Sequence, residues 1–169
     1  MDRFVAVDVE IASRSPMCIC AIGAARFELG RETNSYRSLV HVEGPVRFTD
    51  IHGLTAGDLA GAPVWPVVWS ALLDLLGDLR LLVAFHATFD RAAILAMCAR
   101  HGLRPPRLRF ACAAEMIEAR CGHGLDLRSA LEVLGLPFPG CPHDPLSDAR
   151  AAGAIAIACA PPRTLPARH

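Results

Sequence analysis

Lysine is absent from this chain: all 17 basic residues are arginine, and they face 17 acids, so the formal net charge is zero. That balance excludes a tight, sequence-independent duplex binder, which would carry a strong basic excess. A nucleic-acid partner would be engaged briefly, at a strand end, rather than wrapped. Also missing is any apolar run long enough to cross a bilayer. The longest, Ala151 to Ala160, is well short of the roughly 20 residues a spanning helix needs, so no membrane association is expected. Asp2, Arg3, Asp8 and Glu10 stand where a signal peptide keeps its apolar core, which argues against secretion. The seven cysteines make no C-x-x-C pair and no even framework, and they read as reduced thiols of a cytoplasmic protein. Cys121-Gly-His123 and Cys141-Pro-His143 are C-x-H pairs, but a one-residue spacing is not a usual zinc pattern.

What is present is a chain of 169 residues, 53% of them hydrophobic, enough for one domain with a sizeable core. Phe4 to Glu10 is an apolar run that acquires acids at its far end, as a central strand buried on both faces would. Met17 to Glu28 and Ser35 to Val42 read as two further strands, with Glu28-Leu-Gly30-Arg-Glu-Thr33 as the turn, giving an antiparallel meander. From Trp65 to Leu79 the apolar spacing becomes helical, with Pro66 near the start and Gly77 near the end. Leu81 to Phe85 predicts a strand, Phe89 to His101 a helix stopped by Gly102, and Arg107 to Cys112 a fifth strand. Helices follow at about Asp126 to Leu134 and Pro145 to Ala160, and the proline-rich tail 161–169 is expected to be disordered. Three strands followed by alternating helix and strand indicate a single α/β domain with a mixed sheet over residues 1–160.

Asp8 and Glu10 are two apart on a strand, so both side chains take the same face. The end of a buried strand is where α/β sheets commonly place ligands. Asp90 stands at a strand-to-helix junction, and Asp148 in the first turn of a helix opened by Asp144-Pro145. Taken singly, each has an ordinary explanation as a solvated strand end or a helix-start acid. Taken in order, D-x-E, then F-D after a strand, then H-x-x-x-x-D-A opening the last helix, they form a pattern.

The pattern resembles the DEDDh (DnaQ-like) 3′→5′ exonuclease family, whose fold is RNase H-like: a mixed five-stranded sheet flanked by helices. Asp8 and Glu10 match the first motif, Asp90 the second, and His143 with Asp148 the third; Ile51-His-Gly-Leu-Thr55 is similar to the family's I-H-G-[IL]-T segment. Two departures stand out. Ile11 replaces the usual threonine after the glutamate, and Phe85-His86 replace the His-Asn that often opens the second motif. Neither removes a metal ligand; both bear on the nucleotide pocket.

The resemblance implies metal-dependent hydrolysis of phosphodiester bonds at the 3′ end of single-stranded DNA or RNA. Two divalent ions, Mg²⁺ or Mn²⁺, would be held by Asp8, Glu10, Asp90 and Asp148, and His143 would be the general base. Hard cations want oxygen donors. Two bare carboxylates 4 Å apart repel by about 4 kcal/mol at an effective dielectric of 20, so a cluster of four calls for cations. Histidine suits proton abstraction because its ordinary pKa lies near working pH. The resemblance also places His52, Leu54 and His86 at the substrate. Arg91, Arg100, Arg104, Arg107, Arg109, Arg120 and Arg128 make the stretch after the second motif locally basic, either to steer a phosphate backbone or as solvated surface. Trp65, Trp69 and Phe85 read as core more readily than as a base-stacking surface, and Phe89 reads as core. A catalytically silent adaptor and a phosphodiesterase of very short oligonucleotides remain as alternatives. Polymerase association and a homodimer have no specific support in the residues.

Overall fold

The computed structural model describes residues 1–160, and the proline-rich tail lies outside the described residues. Strict alternation in β1 (Arg3–Arg14) divides its side chains between two cores. Val5, Val7, Val9 and Ile11 enter one apolar cluster, and Phe4 and Ala6 the other. β1 pairs antiparallel with β2 (Met17–Glu28), which pairs antiparallel with β3 (Arg31–Leu39). β4 (Leu81–Ala84) adds parallel to β1, and β5 (Arg109–Cys112) parallel to β4. The sheet order is β3-β2-β1-β4-β5, so the run that opens the chain is the central strand, as its apolarity requires.

Helices cover both faces. α3 (Trp65–Leu76) and α4 (Ala87–Arg100) close the Val5–Ile11 side, with Trp65, Leu72, Ile94 and Met97 fully buried. α5 (Ala113–Cys121), α6 (Leu127–Val133) and α7 (Pro145–Cys159) close the Phe4–Ala6 side. Two one-turn helices, α1 (Thr49–His52) and α2 (Ala56–Leu59), fill the β3–α3 connection. None of the described helices is long and apolar enough to cross a membrane.

Four readings of the sequence need correction. β1 does not stop at Glu10 but continues to Arg14, because β2 keeps pairing with it after β4 has ended. The β2–β3 turn is only Leu29-Gly30, both at positive φ (52° and 80°), the backbone a two-residue hairpin turn demands; Arg31 onward is already strand. The third strand ends at Leu39, where its pairing with Ala21 of β2 stops, rather than at Val42. α5 went unread because it buries little beyond Ala113 and Ile117, too few apolar positions to show a helical period.

Candidate active site

Phe4, Ala6, Asp8 and Glu10 form one row along β1. The first two pack under α7, and the row turns acidic where α7 begins. Asp8 pairs across the strands with Gly23 of β2. A Cβ added to Gly23 would overlap the backbone of Pro145 and Leu146, so glycine alone lets the start of α7 rest on the sheet at this point. Pro145 occupies the first helical position, and the Asp144 side chain caps the helix by accepting from the Ser147 amide at 3.0 Å. Asp144 also pairs with Arg37 of β3 at 2.8 Å, and Arg150 makes a two-pronged contact with Glu32, so α7 is tied down at its opening turns. Asp148 is thereby held over Asp8 and Glu10. Asp90 reaches the same place from the first turn of α4, which starts where β4 ends.

Register shifts follow Glu10 on either side of Ile11. Bulges of this kind bend a strand and re-aim its side chains. The Ile11 side chain is buried in the α3–α4 core, leaving Glu10 turned to the cluster.

The acids are crowded, with Asp8 and Glu10 half-buried and Asp90 and Asp148 buried. Asp90 is 3% exposed and Asp148 8%, and one carboxylate oxygen on each has no hydrogen-bond partner. Burial first, and then the charges of Asp90, Asp148 and Glu10, hold the Asp8 carboxyl well above the ordinary carboxylate range. Glu10 is raised to about 7 by burial and by Asp148. Asp90 is raised to about 7 by burial, against the pull of backbone amides at Asp90 and Val9. Asp148 reaches about 6, burial outweighing the His143 amide that donates to it at 3.1 Å. Orphaned buried oxygens on an all-carboxylate set fit a hard divalent cation, which would supply the missing partners and the missing positive charge.

His143 is exposed, in the left-handed region at φ 62°, just ahead of α7. One ligand atom from each of Glu10, His143 and Asp148 lies within 4.8 Å of the other two. Asp8 and Asp90 stand outside that tightest group but within its electrostatic reach. Among the described residues no other three metal-ligating side chains lie within that distance of one another, so neither C-x-H pair gathers a zinc set; all seven cysteines are free.

The sequence profile of the exonuclease family of the RNase T type matches residues 5–156. The chain belongs to this exonuclease family. Its acids and histidine stand in the DEDDh order, on an RNase H-like exonuclease fold. Solved structures agree on the fold. The nuclease domain of 3′hExo, a DEDDh family member bound to rAMP, has a TM-score of 0.77 at 18% identity, over 92% of this chain and 90% of that one. Pop2p of S. pombe, in its Mg²⁺- and Mn²⁺-bound form, has a TM-score of 0.69 at 13% identity, over 90% of this chain and 80% of that one. E. coli exonuclease I in complex with a dA16 oligonucleotide has a TM-score of 0.73 at 14% identity, over 92% of this chain but 40% of that one. No curated protein is a significant match.

Beside the acids, the exonuclease has a pocket of about 140 Å³ lined by Glu10, Phe48, Ile51, His52 and Phe89. The His52 ring is fixed at both nitrogens: Nδ1 accepts from the Leu54 amide at 3.0 Å, so Nε2 carries the proton and donates to the Arg47 carbonyl at 3.0 Å. Leu54 does not line this pocket; it packs against Ala12, Cys20 and Leu59. Phe89 is 37% exposed, correcting its reading as core. The buried stripe of α4 runs through Ala87, Asp90, Ala93, Ile94 and Met97, and Phe89 falls off its edge. Trp65, Trp69 and Phe85 are buried, as read. His86 is exposed at the N-cap of α4, edge-on to Phe85, and lines a second cleft on the far side of Phe89. The seven arginines do not share one face: Arg120 donates to the Ala158 carbonyl, Arg128 lies over Phe138 and Arg100 reaches Cys18.

Gly23 and Phe48 were not singled out by sequence reasoning, and Ile51 entered only as the first residue of the Ile51–Thr55 segment. Gly23 carried a usable signal, since a lone glycine inside a strand marks close backbone approach.

Proposed function

We propose that this exonuclease removes nucleotides one at a time from the 3′ end of single-stranded DNA or RNA. The observation that carries the reading is the meeting of half-buried Asp8 and Glu10 of β1 with buried Asp90 of α4 and Asp148 of α7, the latter two each with one oxygen lacking a hydrogen-bond partner. Nuclease chemistry follows from the family; ion count and residue roles are inferred from this donor set, and the 3′ polarity from the likeness to solved 3′-exonucleases.

Asp8, Glu10, Asp90 and Asp148 would hold two divalent cations, Mg²⁺ or Mn²⁺, which when bound would neutralise the phosphodiester and favour ionisation of the attacking water. His143 accepts the water proton on a ring nitrogen. The water oxygen bonds to phosphorus, the bond from phosphorus to the 3′-oxygen breaks, that oxygen takes a proton from solvent to become the new 3′-hydroxyl, and a nucleoside 5′-monophosphate leaves a strand one nucleotide shorter. His143 is suited to this role by being outside α7 and open to solvent, so it can pass the proton on between turnovers. His52 and Ile51 border the terminal nucleotide, and Phe89, exposed between two clefts, stacks on a base.

The test is digestion of 5′-labelled single-stranded DNA and RNA with Mg²⁺ or Mn²⁺, beside EDTA and Asp8→Ala controls. A ladder shortening from the 3′ end, absent from both controls, is expected. Products that shorten from the 5′ end, or cutting that survives EDTA, would overturn the reading.

A further inference from the structure

The sheet ends at β5, and along its open edge runs a groove of about 820 Å³ between β5, α4 and α5. Arg91 of α4 and Arg109 of β5 both line it. Among the described residues neither guanidinium has an ion-pair or hydrogen-bond partner, whereas Arg3, Arg26, Arg37 and Arg150 are all matched with acids. The groove is continuous with the catalytic end of the molecule. It shares Thr88, Cys112 and Glu115 with the cleft of about 630 Å³ that His86 and Phe89 line. Phe89 in turn borders the pocket beside Glu10. Three hollows thus adjoin through shared walls, from the pocket beside Glu10 to the groove of Arg91 and Arg109, which Glu115 also lines.

We propose that this is the track of the substrate strand upstream of the cut: bases pass Phe89 and His86, and Arg91 and Arg109 hold backbone phosphates several nucleotides from the 3′ end. The assignment rests on the nuclease reading above and extends it to substrate class, favouring strands over dinucleotides. Continuity with the acids and the sign of the two free charges select a polyanion over a peptide strand added to the β5 edge. Glu115 and Glu118 border the intermediate cleft and oppose a polyanion there, which limits the hold and suits a strand that must slide after each cut.

Two measurements on the full chain test it. The first is kcat/KM on a series of 5′-labelled oligonucleotides from the dinucleotide upward, for the native chain and the Arg91→Ala, Arg109→Ala double variant. The second is binding of a labelled oligo-dT by anisotropy against salt, with Ca²⁺ replacing Mg²⁺. The native chain should prefer the long strand, and the double variant should reduce that preference about tenfold. Its log–log salt slope should flatten by about 1.4, at roughly 0.7 for each single-strand phosphate left without its arginine. Glu115→Gln should move affinity the opposite way, which a merely structural loss would not do. An unchanged slope and an unchanged length preference would overturn the track and leave the β5 edge to a peptide or a second copy. Failure to cut at any length would sink the nuclease reading instead, while the binding slope, which needs no turnover, would still judge the arginines.

Discussion

At the residue scale, the site separates groups that build from groups that react. His143 is exposed and contributes no apolar packing, so His143→Ala should slow turnover by roughly 10² to 10⁴ and leave the melting temperature almost unmoved. Paired kinetics and calorimetry would check this, and native-like turnover would remove His143 from the chemistry. Phe89 offers a similar discrimination. A buried phenylalanine cut to alanine costs about 3–5 kcal/mol. Because Phe89 is over a third exposed, Phe89→Ala should cost well under that and raise KM for a strand instead. A large loss of stability with KM unchanged would return Phe89 to the core, where its sequence context had placed it. Asp90 and Phe89 are neighbours, yet one is buried and the other is not, because a single step along a helix turns the side chain by about 100°. A pattern of apolar letters does not fix that phase when the stripe's edge is alanine-rich.

At the element scale, α7 decides the geometry. It brings Asp148 to the acids of β1 only because its opening backbone lies directly on Gly23. Gly23→Ala should therefore force strand and helix apart, at a cost of about 1–3 kcal/mol or more, and abolish metal-dependent cutting. Asp144→Ala, which removes the helix cap, should cost about 1 kcal/mol and weaken turnover without abolishing it. Thermal melts with activity assays would rank the two, and an innocuous Gly23→Ala would refute the backbone contact. The sequence showed most of this element: Asp144-Pro145 marks its start, and the apolar stretch to Ala160 marks its length. The bulge around Ile11 had no such signature, since it depends on how β2 pairs with β1 rather than on any residue within β1. Likewise, which of seven arginines converge on one groove is set by the β4–β5 register and the packing of α4 against β5, both tertiary facts. The clustered acids were legible because each one interrupts an apolar run or opens a helix, where a charge must be explained.

At the scale of the whole molecule, the cation-free protein is at odds with its own site. Asp8, Glu10, Asp90 and Asp148 all have carboxyls raised above the ordinary range, Glu10 and Asp90 to about 7. The folded state thus holds protons that the unfolded chain has released between about pH 4 and pH 7. Stability contributed by these protonated acids is full below the ordinary carboxylate range and is lost as pH rises through the folded values. Without cations the protein should melt lower at pH 8 than at pH 5, and Mn²⁺ or Mg²⁺ should raise the melting point more at pH 8. Equal shifts at both pH values would show that the cations do not compete with protons for these oxygens. The order of the elements along the chain has a temporal consequence. Asp8 and Glu10 leave the ribosome first, but the helix carrying Asp148, and His143 before it, lie at the far end of the described residues. On the proposed roles, a nascent chain, or one truncated before α7, has half of a cutting edge and nothing to close it. The enzyme cannot begin degrading nucleic acid until its own synthesis has passed that helix.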